Sequence, residues 1–196
     1  MADFLSLTRN CGKAPIKGTK TKLYMIPFAE ISAFPQTRAA IKVAGGTETP
    51  VQGDTKILDE AYGLITETGK GYFREVDILV NTGDVNNSLT GEVGGQENEV
   101  VSRFFILGNG PKEREFVDVM MQHNGCLHMA MPSKDGQMQA IGEPDNPVFV
   151  RSYDGGTGGG SGAERVGYAY EVFTSEPTTN KSINVDDYPL NLTPAA

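Results

Sequence analysis

Pro111-Lys112-Glu113-Arg114-Glu115-Phe116-Val117-Asp118-Val119-Met120-Met121-Gln122-His123, followed by Asn124-Gly125-Cys126-Leu127-His128-Met129-Ala130-Met131, is the stretch on which the fold turns. Proline suits the first helical position, and Glu113 and Glu115 lie near the positive end of the helix dipole. Phe116, Val119 and Met120 make one apolar stripe, and Asn124-Gly125 is a left-handed stop. A helix of about 13 residues is marginal alone, so this one, about 111–123, must pack against something larger. Past the stop the period changes to two. Leu127, Met129 and Met131 alternate with His128 and Ala130, which predicts a strand with one buried face and His128 turned to solvent.

Strand signals continue in both directions. Downstream come a hairpin turning on Lys134-Asp135-Gly136, a strand near Phe149, a glycine-rich loop from Asp154 to Gly162, and a strand carrying Val166, Tyr168, Tyr170 and Val172 on one face. Upstream, Val100–Leu107 is apolar on both faces, with Val101, Phe105 and Leu107 on one and Val100, Phe104 and Ile106 on the other. Such a strand is either central to a sandwich or shared with a neighbouring subunit. Residues 83–98 read as a long exposed hairpin or loop, acidic and glycine-rich. Tyr72–Thr82 is a strand with Val76, Ile78 and Val80 inward, and residues 44–54 form a loop. Ile57–Ile65 fits helix and strand equally. Leu23–Phe28 is an apolar run that Pro27 demotes to an edge strand or a strand end. The expected class is mainly β: a single domain over 1–196, with extended arms at about 1–22 and 176–196. The expected core includes Val76, Ile78, Val80, Phe105, Phe116, Val119 and Met120.

Charge limits what the chain can bind. The total is −8 and the pI is near 4.8, which excludes general affinity for nucleic acid. Residues 1–42 carry seven bases (Arg9, Lys13, Lys17, Lys20, Lys22, Arg38, Lys42) against Asp3 and Glu30, a net of +5. The remainder therefore carries −13. That asymmetry suits either head-to-tail self-association or a solvated basic arm. Cys11 and Cys126 form no CxxC pair, so reduced thiols are expected. The N-terminus lacks the pattern of a signal peptide, and no apolar run is long enough for a bilayer, so a protein made in a cytoplasm and free of membrane is expected.

No motif commits the chain to catalysis. Asp154-Gly155-Gly156-Thr157-Gly158-Gly159-Gly160-Ser161-Gly162 lacks the Gly-Lys-Ser/Thr ending that a phosphate loop needs, and a strand rather than a helix follows it. His123, Cys126 and His128 could offer three zinc ligands, but their spacing crosses a helix stop and no fourth ligand is near. His123 is more simply a cation at the helix C-terminus. Neither Ser102, Ser133 nor Cys126 has the base and oxyanion signature of a nucleophile. Acidic pairs such as Glu97/Glu99 and Asp186/Asp187 lie in loops. The expectation is a non-enzyme with no catalytic, cofactor-binding or metal site.

The segment from the helix onward resembles the major tail (tail-tube) proteins of long-tailed bacteriophages. The shared pattern runs from the helix to Gly125-Cys126-Leu127, then through Asp135-Gly136 into Ala140-Ile141-Gly142. It continues past Pro147 and Thr157-Gly158 to Arg165, Gly167 and the strand Tyr168–Ser175. The resemblance covers roughly the C-terminal half. It implies a two-sheet β-sandwich with one flanking helix, similar in fold to the type VI secretion tube protein. It further implies homo-hexameric rings stacked into a tube, joined to other tail proteins in a virion assembled in the host cytoplasm. Genome DNA would pass through the lumen without specific binding, past acids sought between Asp84 and Glu99. The competing expectations are a head-decoration or head–tail connector protein and a ligand-binding β-sandwich.

Overall fold

The structure, a computed structural model, describes residues 21–46, 48–79, 82–91, 96–132, 137–156, 166–176, 179 and 181–195. Its strands are β1 (Lys22–Pro27), β2 (Ile31–Ala33), β3 (Ile57–Leu58), β4 (Gly63–Leu64), β5 (Arg74–Asp77) and β6 (Asp84–Thr90). They continue with β7 (Glu97–Leu107), β8 (Leu127–Pro132), β9 (Met138–Ile141), β10 (Phe149–Gly156), β11 (Gly167–Glu176) and β12 (Lys181–Ile183). Among the described residues there are two α-helices, α1 (Arg38–Gly45) and α2 (Pro111–Gln122), and single 3-10 turns at Phe28–Glu30 and Asp54–Lys56. The protein is mainly β.

The strands form three sheets. Six of them run in the order β3-β12-β9-β8-β1-β5, four in the order β10-β11-β7-β6, and β2 pairs with β4. The main core lies between the six- and four-stranded sheets. Leu23, Met25, Val76, Met129 and Ile141 from the first meet Val100, Phe104, Ile106, Tyr170 and Val172 from the second. α2 closes this core with Phe116, Val119 and Met120, the stripe expected of it, and the Phe116 ring meets Tyr170 edge-on at 6.0 Å. A second cluster (Ile26, Leu58, Phe73, Ala130, Ile183) covers the other face of the six-stranded sheet. β8 is consequently buried on both faces.

Several expectations change. Of the two readings of Leu23–Phe28, the strand end holds and the edge does not: β1 sits between β5 and β8, and Pro27 is its last residue, where a missing N–H is harmless. Ile57–Ile65 resolves into strand, as β3 and β4. α1 is a second helix, capped by Thr37 Oγ1 accepting the Ala40 N–H and ended by Gly46 at φ 61°. The segment from 176 onward is no free arm. β12 enters the six-stranded sheet, and Ile183, Val185 and Leu190 join the second cluster, since apolar side chains at that spacing have a face to cover. The expected arm over 1–22 falls outside the described residues up to 20, and Lys22 already belongs to β1. Val80 and the Lys134-Asp135-Gly136 turn also lie outside them, though β8 and β9 do pair as a hairpin.

Phe105 is the other correction. Val100, Ser102, Phe104 and Ile106 face the core, while Arg103, Phe105 and Leu107 face away from it. Both faces of this strand are apolar, so its pattern could not choose; the register with β11 does. Phe104→Ala should therefore lower stability by about 3–5 kcal/mol in urea unfolding. Phe105→Ala should cost about 1 kcal/mol, as expected of a partly exposed site. Equal losses would contradict the register.

Candidate functional site

The four-stranded sheet turns one face to the core and leaves the other open. Residues directly opposite in its ladders share a face, so Arg103 of β7 lies beside Glu171 of β11 and Asp84 of β6. A bulge in β10 between Val150 and Ser152 lets Arg151 and Ser152 both point outward. The result is a charge network. Arg103 Nε donates to Glu171 Oε2 at 2.7 Å, while Arg151 reaches Glu99 at 2.7 Å and Glu171 at 3.3 Å. The Arg151 guanidinium also stacks 4.4 Å over the Phe173 ring. The bond from Arg103 draws the Glu171 carboxyl below its ordinary range, and the bond from Glu99 raises Arg151 further. Exposed pairs of this kind add little stability individually. Their consequence here is that both guanidiniums are already occupied.

Acids outnumber bases on this face. Among the described residues, Asp84, Glu97, Glu99, Asp154 and Glu171 stand against Arg103 and Arg151, a net of −3. The acids sought between Asp84 and Glu99 thus gather on the open face, apart from Glu92, which lies outside the described residues. At about 370 Å³, the recess beside Arg103, Phe105, Asp154 and Glu171 could admit a small ligand. Among the described residues, it brings no histidine, cysteine or lysine to that ligand. Of the glycine-rich segment, Asp154–Gly156 extends β10 as a strand, and the rest lies outside the described residues.

His123, Cys126 and His128 do not converge. Among the described residues no group of three His, Cys, Asp or Glu side chains could hold a metal ion. Cys126 is exposed, and His123 ends α2 with its backbone N–H on Val119 O. His128, expected at the solvent, is fully buried instead. Its side chain enters the second cluster, ringed by Phe28, Phe34, Tyr62 and Phe73 at centroid distances of 5.1–6.1 Å. Nδ1 lies 2.7 Å from Gly142 O and Nε2 2.8 Å from the Tyr62 hydroxyl. The carbonyl can only accept, so Nδ1 carries the proton and Nε2 accepts the phenol O–H. Burial then pushes the imidazole down to about 4, leaving it neutral.

Gly142 links this histidine to a second buried group. Its N–H donates to Glu176 Oε1 at 3.4 Å, and Glu176 is only 4% exposed. Burial, followed by the nearby Glu143, raises the Glu176 carboxyl to about 7. Glu143 itself is paired with Lys181. Sequence reasoning missed this site, although one signal was present. The alternation through Tyr168, Tyr170 and Val172 extends to Thr174 and Glu176, placing that carboxylate inward. Nothing local marks Tyr62.

These two groups oppose each other in the dependence of stability on pH. His128 binds its proton less readily folded than unfolded, so its contribution is lost as pH falls from 6.5 toward 4. Glu176 binds its proton more readily when folded, so its contribution is lost as pH rises from 4.5 toward 7. Each amounts to about 3 kcal/mol. His128→Gln should therefore uncover a fall in stability between pH 4.5 and 7, and Glu176→Gln a rise. Denaturant unfolding across that range is the measurement; parallel profiles for both variants and the unaltered chain would refute the assignment.

Compared with known protein families, curated proteins and solved structures, the chain gives no match.

Proposed function

We propose that this chain is a virion structural protein, a tail-tube subunit that self-assembles into stacked hexameric rings around a DNA-conducting channel. The observation that carries the reading is the open face of the four-stranded sheet. It is antiparallel, backed by a complete core, ended by the edge strands β10 and β6, and coated with an excess of acid. Edge strands carry unpaired N–H and C=O groups that can continue a sheet into another chain. Six such sheets joined edge to edge give a barrel of about 24 strands, beyond the size at which barrels enclose a channel. A concave wall of this composition repels phosphate, and its arginines are already held by Glu99 and Glu171. DNA can slide past without sticking. The role is that of a conduit and scaffold, with no turnover. Its partners are further copies, other tail proteins, and genome DNA in transit through the virion tail.

Negative-stain microscopy of the purified chain at high concentration tests the assembly. Six-fold rings or tubes are expected; a preparation that stays monomeric, or closes only as trimers, overturns the reading. The lining has its own test. The unaltered protein should not retain duplex DNA at physiological salt, whereas Glu99→Gln with Glu171→Gln frees both arginines and should produce salt-sensitive binding. Identical binding by the two proteins would show that the open face is not where DNA passes.

A further inference from the structure

Residues 181–195 run back across the six-stranded sheet as a strap. Lys181–Ile183 slots between β9 and β3, antiparallel to the first and parallel to the second. Farther along, the Phe73 N–H donates to Asn191 O at 2.8 Å, and Gly69 and Lys70 exchange backbone bonds with Ala195 at 3.1 and 3.2 Å. The root of the strap is where the buried carboxyl lies. Glu176 ends β11, and β12 begins five residues later. The charged groups around Glu176 are Glu143 after β9, Lys181 of β12 and Lys56 from the turn before β3; His128 of β8 shares Gly142 with it. Lys181 is engaged by Glu143, and Lys56 donates to Thr179 O at 2.8 Å. The carboxyl therefore sits beside another carboxylate, with both nearby ammonium groups committed elsewhere.

We propose that the charge on Glu176 acts as a latch for this strap: neutral Glu176 lets residues 181–195 lie in the sheet, and ionised Glu176 loosens them. An ionised carboxylate at this depth must take up water or capture Lys181. Capture of Lys181 strips Glu143 of its partner. Either course disturbs β12 rather than β11. β11 is fixed by ten consecutive pairs to β7 and by β10 on its other side, whereas β12 contributes only three residues. The latch thus works between mildly acidic and mildly alkaline conditions, independently of whether rings form.

Hydrogen exchange on the intact chain at pH 6 and pH 8.5, corrected for intrinsic exchange, tests it. Opening of the 181–195 amides should rise at least tenfold at the higher pH relative to β7 amides, and Glu176→Gln should abolish the rise. No pH response in the unaltered chain, or an equal response in the variant, would overturn the latch. Carboxyl-carbon NMR of Glu176 in the unaltered chain supplies a second reading. Its titration should track the loss of strap protection, and a midpoint in the ordinary glutamate range would equally overturn the proposal.

Discussion

The pairing of β11 with β7 is the constraint on which the rest depends. Ten consecutive partners, from Gly167↔Leu107 to Glu176↔Asn98, fix which side of both strands meets the core. A slip of β11 by one residue would turn Tyr168, Tyr170 and Val172 outward, bury Glu171 and take it away from Arg103. The start of the ladder is pinned. Gly167 sits at φ 156° against β7, where a Cβ would fall 2.2 Å from Ile106 O, so no other residue fits. Beside it the Gly108 N–H bonds Val166 O at 2.9 Å, and the Tyr168 hydroxyl bonds Asn109. One register thus produces both the packed core and the acid-rich open face. Substitutions that shift it would damage stability and surface together.

The second sheet is organised by chain connectivity instead. Its middle strands come from distant parts of the sequence: β1 near the start, β8 and β9 from the centre, β12 from the end. Burial on both faces requires cover on the side away from the main core, and the strap, the β2–β4 pair and Tyr62 supply it. Contacts of such long sequence separation cost more loop-closure entropy than local ones. The four-stranded sheet, built from the β6–β7 and β10–β11 hairpins, is the more local unit.

Legibility in the sequence followed the same division. α2 could be read because proline, an apolar stripe and Asn124-Gly125 all act within a dozen residues. The inward row of β11 could be read because period-two alternation is local, whereas β7, apolar on both faces, gave no such choice. α1 left no stripe to find, since Ala39 is its one buried residue among eight. For β1, the local rule about Pro27 found the strand's end but could not exclude an edge, because it says nothing of what flanks the rest of the strand. His128 was misplaced for a stronger reason. Its burial depends on a hydroxyl 66 residues away and a carbonyl 14 residues away, neither of which alternation can foresee.

Two buried carboxylates show how one fold treats charge in opposite ways. Glu30 receives the Gly71 N–H at 2.8 Å and both arms of Arg74, whose guanidinium also reaches Tyr72 O and stacks on the Tyr72 ring. Its oxygens are met by charged donors in a bidentate fork, which ties the turn after β1 to β5. Glu176 is equally hidden, yet among the described residues one backbone amide reaches it, at a long 3.4 Å, and its neighbour is another acid. A group so incompletely matched adds nothing to stability that threonine or valine would not add in the same inward row. Its one distinctive property is a charge that changes near neutrality at the point where the chain turns back to cover its own sheet. A residue whose presence packing cannot explain, at the root of a three-residue strand, is where reversible loosening is most easily built.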